Sequence, residues 1–219
     1  LMIRRPPRST LFPYTTLFRS SPDSETLHWM KRKAAERNCA IAGSVAVCEN
    51  GNYYNRFYFV HPDGAVQHYD KKHLFTFGGE HKRFTAGTER VVVNFRGVRI
   101  LLEVCYDLRF PVWSRNLGDY DMILYVASWP TPRVDAWSAL LRARAIENQC
   151  YVAGVNRMGT DPACEYSGGS AIIDPYGKTI AECPWSRESA VSADIDMEAL
   201  QAFRKKFPVL DDADPFTLI

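Results

Sequence analysis

The chain has 219 residues, 46% hydrophobic and 24% charged, which suits one domain with a sizeable core and excludes a disordered chain. Its formal charge of +2, with basic and acidic residues interleaved, argues against general attraction to nucleic acid or an anionic membrane and favours a small, mostly neutral partner. Six cysteines (39, 48, 105, 150, 164 and 183) form no CxxC pair, against a zinc ribbon or thioredoxin-type motif, and no window approaches the run of about 18 apolar residues of a membrane span. With no secretory signal in view, the cysteines read as reduced thiols of a cytoplasmic protein.

Residues 1–20, LMIRRPPRSTLFPYTTLFRS, differ from the rest: three prolines, four arginines, no acid and no periodicity. The stretch resembles a translated sequencing adaptor, so the native beginning is expected to be missing; an arginine-rich leader has a similar composition. Residues 21–219 form the expected domain.

From Ser21 the pattern turns globular. Ser21 and Pro22 suit an N-cap and first helical position, with Leu27, Met30, Ala34 and Ala35 at helical spacing up to Asn38. AIAGSVAV (40–47) reads as a short buried strand, and YNRFYFV (54–60) and AVQHY (65–69) as two more around the turn HPDG. Residues 70–88 form a polar loop containing Gly78, Gly79 and Gly87. RVVVNF (90–95), VRILLEV (98–104) and DMILYVAS (121–128) are strands, and VDAWSALLRARAIENQ (134–149) is the strongest helix, with Trp137, Leu140, Leu141 and Ala145 on one side. Strands follow at CYVAGV (150–155), GSAIID (169–174) and AVSADID (190–196), with a closing helix at MEALQAFRKKF (197–207). Helices recurring among more numerous strands predict an α/β layered fold, whose active residues sit on loops beyond strand ends.

Cys105 occupies such a place, with Tyr106, Asp107 and Arg109 behind it. A free cysteine more often packs as a small hydrophobe than attacks a substrate, and the residues alone leave both readings open. YGKT (176–179) has Ile172 where a phosphate-binding loop needs its leading glycine. There is no GxSxG or HExxH, and all five histidines (28, 61, 68, 73 and 81) precede Cys105, against a papain-like pair. A cysteine can instead be served by a carboxylate that moves its proton and an ammonium that holds an oxyanion, and the 70–88 loop carries both residue types.

YDKKHLF (69–75), EHKRFTAG (80–87), VCYDLRFPVWSRN (104–116), YVASWP (125–130) and RARAIENQCYVAGVNRMG (142–159), in this order, resemble the nitrilase superfamily of carbon-nitrogen hydrolases, and within it the bacterial omega-amidase branch. The resemblance implies a four-layer α-β-β-α sandwich, here N-terminally incomplete, paired as a homodimer and needing neither cofactor nor metal. It implies a Glu-Lys-Cys triad plus a second glutamate, which puts the nucleophile on Cys105, the lysine on Lys71, the second glutamate on Glu80 and the oxyanion-binding N–H on Tyr106. The family's general-base glutamate lies in a Pro-Glu-Met/Phe motif upstream of the first helix. This sequence has no such motif there, and Glu25, the nearest acid, falls inside the predicted helix. The implied reaction splits the terminal amide of a small dicarboxylic acid monoamide, such as 2-oxoglutaramate or 2-oxosuccinamate, through a cysteine thioester. The competing readings are a remnant that binds without turnover and an amidase of the same family with a different substrate.

Around these residues, Trp129 and Arg133 are expected to line the substrate pocket, Arg133 facing a carboxylate. Asp107 and Arg109 read as an ion pair bracing the cysteine loop, Glu147 and Asn148 as ties from the helix to the catalytic loops, and His73 as a hydrogen-bonded core histidine. By itself Lys71, half of a Lys-Lys pair, would be a solvated turn residue.

Overall fold

A computed structural model describes residues 23–217; residues 1–20, set apart by composition, and the Ser21-Pro22 cap fall outside that range. Helix α1 (Glu25–Arg37) is capped instead by Ser24, whose hydroxyl accepts from Leu27 N at 3.3 Å, and it closes on Asn38 in the left-handed conformation. Its buried Leu27, Met30 and Ala34 pack on Val47, Tyr58 and Val60 of the first sheet.

That sheet is an antiparallel meander of β1 (Ile41–Glu49), β2 (Asn52–Val60) and β3 (Val66–Asp70), with Ile41 opposite Val60 and Val60 opposite Val66. The two-residue period of β2 sorts its side chains between two cores: Tyr58 and Val60 face α1, while Phe57 and Phe59 face the second sheet. The intervening loop then leads to β4 (Val92–Phe95), β5 (Val98–Val104), β6 (Met122–Ala127), helix α2 (Val134–Glu147) and β7 (Tyr151–Asn156). After a small hairpin of β8 (Met158–Thr160) and β9 (Glu165–Ser167) come β10 (Ala171–Ile173), β11 (Thr179–Glu182) and helix α3 (Met197–Lys206). The second sheet has the order β11-β10-β7-β6-β5-β4, and its central β5-β6-β7 pairings are parallel.

Alternation again divides the central strands. Ile100, Leu102, Met122, Leu124 and Ala153 enter the core between the sheets; Leu101, Ile123, Tyr125 and Val152 face α2, against Trp137, Leu141 and Ala145. The layers are therefore α1, the three-stranded sheet, the six-stranded sheet and α2, the α-β-β-α sandwich expected. Parallel strands buried on both faces explain why these segments read as continuous apolar runs.

One expected strand is absent. AVSADID (190–196) joins no ladder, although its burial alternates residue by residue and Ala193 and Ile195 pack on the inter-sheet core. The alternation reports one-sided burial, which needs no strand partner. The strands β8, β9 and β11 were not legible, being three or four residues long and rich in polar residues. No helix among the described residues is long and apolar enough to cross a membrane.

The closest helix-sheet approach worth testing is at Gly154 on β7, where a Cβ would stand 2.5 Å from a Leu141 methyl and 2.9 Å from the Trp137 ring. Gly154→Ala is predicted to lose about 1–3 kcal/mol by overpacking, read as a lower urea midpoint with unchanged slope.

Candidate active site

Strand β5 ends at Val104, and the chain turns at once into the 3-10 turn Cys105–Arg109. Cys105 itself has a φ of 51°, a conformation that a non-glycine residue keeps only when its surroundings enforce it. Asp107, fully buried, supplies that enforcement. Its Oδ2 accepts from Val104 N at 2.9 Å and from Tyr69 OH at 2.8 Å; its Oδ1 accepts from His73 N at 2.9 Å and lies 2.8 Å from His73 Nδ1. The His73 ring stacks on Phe110 with centroids 3.8 Å apart. One carboxyl thus joins the cysteine turn to the segment that follows β3. The expected Asp107–Arg109 ion pair does not form, because Asp107 points inward to these donors while Arg109 is exposed and lies 5.0 Å over the Trp129 ring.

Lys71 follows directly on β3. Its N–H donates to Asn55 O at 3.0 Å and its carbonyl accepts from Gly87 N at 2.9 Å, which fixes both ends of the loop. Gly87 comes so close that a Cβ would lie 2.0 Å from Asp70 O, so no other residue fits. The Lys71 side chain is buried rather than solvated, and its Nζ donates to Glu80 Oε2 at 2.6 Å, each side chain only 3% exposed. Glu80 Oε2 also accepts from Phe75 N at 2.6 Å, and Oε1 accepts from Asn55 Nδ2 at 3.2 Å.

The structure brings Lys71, Glu80 and Cys105 into one electrostatic cluster. Burial works against the Lys71 ammonium, but the acidic groups of Cys105, Glu80 and Asp107 outweigh it and hold its pKa above the ordinary value. Burial pushes the Cys105 thiol up; the Lys71 cation opposes this and Glu80 adds to it, so the group stays raised. Among the described residues the hydrogen-bond contact of the sulfur is to Ser128 O, at 3.9 Å. No described carboxylate is bonded to it: Glu80 serves Lys71, Phe75 and Asn55, and Asp107 braces the turn.

Tyr106 is the second residue of the 3-10 turn, where a backbone N–H has no intrahelical acceptor. Its ring meets Phe75 and Phe110 edge-on, each at 5.0 Å. Beyond β6, Trp129 is held by Asn156, which accepts from Trp129 N at 2.7 Å and donates Nδ2 to Trp129 O at 2.9 Å. The indole N–H of Trp129 donates to Arg133 O at 2.6 Å, so its polar atom is already used, while the Arg133 guanidinium lies 5.4 Å over the Phe75 ring. From α2, Arg144 Nη2 donates to Leu108 O at 2.6 Å, and Asn148 Oδ1 accepts from Asn116 N at 2.9 Å. Asn148 is thus a tie as expected, but the Glu147 carboxylate is not, because it accepts from Arg144 and Asn148 at its own end of the helix; the buried Arg144 makes the second tie, and the local sequence marks neither it nor Asn55 and Phe75.

No group of three or more His, Cys, Asp or Glu among the described residues is arranged to hold a metal, and the six cysteines are free. The cluster can present a thiol beside an ammonium, with backbone N–H groups at the head of a turn.

The sequence profile of the carbon-nitrogen hydrolases matches residues 7–205, starting within the segment that differs in composition. The chain is 52% identical to omega-amidase YafV of Escherichia coli (strain K12) over 200 residues, 91% of this chain and 78% of that protein. It is 41% identical to 2-oxoglutaramate amidase of Bacillus subtilis (strain 168) over 188 residues, 84% and 72% of the two chains. Among solved structures, it superimposes with a TM-score of 0.89 on XC1258 of Xanthomonas campestris, a CN-hydrolase superfamily protein with an arsenic adduct in its active site. That match has 45% identity and covers 92% of this chain and 79% of the other.

Glu80→Gln keeps the shape of the loop but leaves a buried ammonium without its charge partner. The predicted loss is about 3–5 kcal/mol of folding stability by urea titration.

Proposed function

The chain belongs to the carbon-nitrogen hydrolase family, the nitrilase superfamily, and from this premise we infer an amidase that hydrolyses small-molecule linear amides through Cys105. The observation that carries the reading is the buried Lys71–Glu80 pair set in the field of a strained, loop-head cysteine. The substrate class, terminal amides of small dicarboxylic acid monoamides such as 2-oxoglutaramate, follows from relatives named omega-amidase and 2-oxoglutaramate amidase.

In this mechanism the Cys105 thiol passes its proton to a general base, the role the family resemblance gives to a glutamate upstream of α1, and its sulfur attacks the amide carbon while that base holds the proton for the leaving nitrogen. Lys71 Nζ and the Tyr106 N–H hold the resulting oxyanion, charge that develops only as the bond forms. The tetrahedral intermediate collapses with proton transfer to nitrogen; ammonia leaves and a thioester remains. Water then attacks the thioester carbon, the same oxyanion site is used again, and the acid departs as the thiol is restored. Glu80 holds the Lys71 ammonium in place. Arg133, beside Trp129 and over Phe75, binds the distal carboxylate, with residues 21–219 forming the hydrolase domain.

A second reading has support of its own. A thiol raised by burial needs a base, and no described carboxylate touches it; on this reading the chain binds substrate without appreciable turnover. Ammonia release from 2-oxoglutaramate separates the readings, measured for this chain and for a form extended with the N-terminal region of the Escherichia coli relative. Turnover in the extended form should exceed that of the given chain by roughly 10²–10⁴, the usual worth of a general base, and vanish with Cys105→Ala. Arg133→Ala should raise KM for 2-oxoglutaramate about tenfold or more and leave a neutral amide such as butyramide unaffected. Activity that survives Cys105→Ala rejects the mechanism.

A cytosolic homodimer completes the proposal. It is supported by the free thiols and by an apolar surface around Ile146, Tyr176 and Phe207, 50%, 66% and 58% exposed. Sedimentation at micromolar concentration should give a dimer that Tyr176→Glu weakens; a monomer removes this part.

A further inference from the structure

Glu103 lies on β5 two residues before Cys105 and is fully buried. Strand alternation turns it with Leu101 toward the α2 side of the sheet. There Ser114 Oγ donates to Glu103 Oε2 at 2.9 Å and stands 3.1 Å from Tyr125 OH, which links β5, β6 and the segment after the cysteine turn. Oε1 has no partner among the described residues. Arg144 reaches the same region from α2, but its Nη atoms serve Glu147 Oε1 and Leu108 O, and its buried Nε, like Glu103 Oε1, has no hydrogen-bond partner among the described residues. A carboxylate here would be a buried charge with half its acceptor capacity unmet, so the neutral acid is the form this site favours.

We propose that Glu103 is a positioning residue for the Cys105 turn that works in its protonated form. The neutral carboxyl fixes Ser114 and Tyr125 beneath the turn and keeps a negative charge away from a thiol that must ionise to react. Burial is the main reason the carboxyl holds its proton, pushing its pKa up to about 8. The nearby Asp107 charge adds to this, and the Tyr125 and Ser114 hydroxyls and the Arg144 cation offset it in part. The other titratable groups on that side are Tyr120 before β6, Tyr125 and Cys150, with Tyr69 of β3 across the sheet; burial raises all four above their ordinary values, so none of them competes in that pH region. Lys71, across the cysteine, is raised as well and stays charged there.

Linkage fixes the sign. The unfolded chain releases this proton near the ordinary glutamate value and the folded chain only near pH 8, so folding loses stability as pH rises between the two and levels off above.

The test needs no turnover and rests on the proposed function only in taking Cys105 as the reactive thiol. The full chain is alkylated with iodoacetamide across pH, and modification of the Cys105 peptide is followed by mass spectrometry. The Cys105 thiol is held above its ordinary value and so titrates where Glu103 has already ionised; with Glu103→Gln that negative charge is gone, and the midpoint for Cys105 should fall by about one pH unit. The variant's Tm relative to wild type should rise between about pH 5 and about pH 8, a trend that a role in packing alone would not produce. Glu103→Leu, of similar size and without an amide to satisfy, should behave alike and covers the case in which Gln does not fold. Coincident midpoints together with a pH-independent Tm difference overturn the proposal, even in an active enzyme; an inactive chain with shifted midpoints counts only against the proposed hydrolysis.

Discussion

The fold around the site depends on the carboxyl of Asp107. Cys105 stands in a left-handed backbone conformation that costs of order 1–3 kcal/mol, and the hydrogen bonds to Asp107 from the Val104, Tyr69 and His73 groups repay it. Because those donors come from β5, β3 and the segment after β3, a single side chain couples the cysteine turn to the loop carrying Lys71. The two sheets meet there: Tyr69 belongs to the first and Val104 to the second, and both lie in the core between them. The site is therefore a product of sandwich packing rather than of any one loop.

Electrostatics then divides the labour. The Lys71 ammonium survives burial because Glu80 is 2.6 Å away and fully enclosed with it, an arrangement that leaves a fixed positive charge in a place of low polarity. Such a charge favours a developing oxyanion strongly, since water does not screen it. The same burial that strengthens Lys71 keeps the cysteine protonated, so the cluster suits the oxyanion role proposed for Lys71 better than it suits release of a thiolate.

Much of the architecture was legible because hydrophobic period and layer coincide. The helix at Val134–Glu147 and the strands at Val98–Val104 and Met122–Ala127 follow the sequence pattern within one or two residues. The first helix begins three residues later than its Ser-Pro signal, since Ser24 offers a cap followed by an acid in the first turn. Residues 190–196 mislead because alternate burial and strand pairing give the same pattern. At the site, Cys105, Lys71 and Glu80 are singled out by ordered motifs and not by any physical mark in the local sequence: a Lys-Lys turn gives no sign that one lysine is enclosed. Asn55, Phe75, Glu103 and Arg144 were illegible for a related reason. Their partners lie 25, 5, 11 and 36 residues away, and only the packed sheets bring the distant ones together.

The proposed hydrolysis stands or falls on a covalent bond between the Cys105 sulfur and the acyl group of the substrate. The most direct measurement is acid quenching of the N-terminally extended chain during turnover of 2-oxoglutaramate, followed by mass spectrometry of its cysteine peptides. An acyl adduct should appear on the Cys105 peptide, lost on treatment with hydroxylamine as a thioester is. Ammonia release with Cys105 unmodified throughout, or an adduct carried by another cysteine, would contradict it.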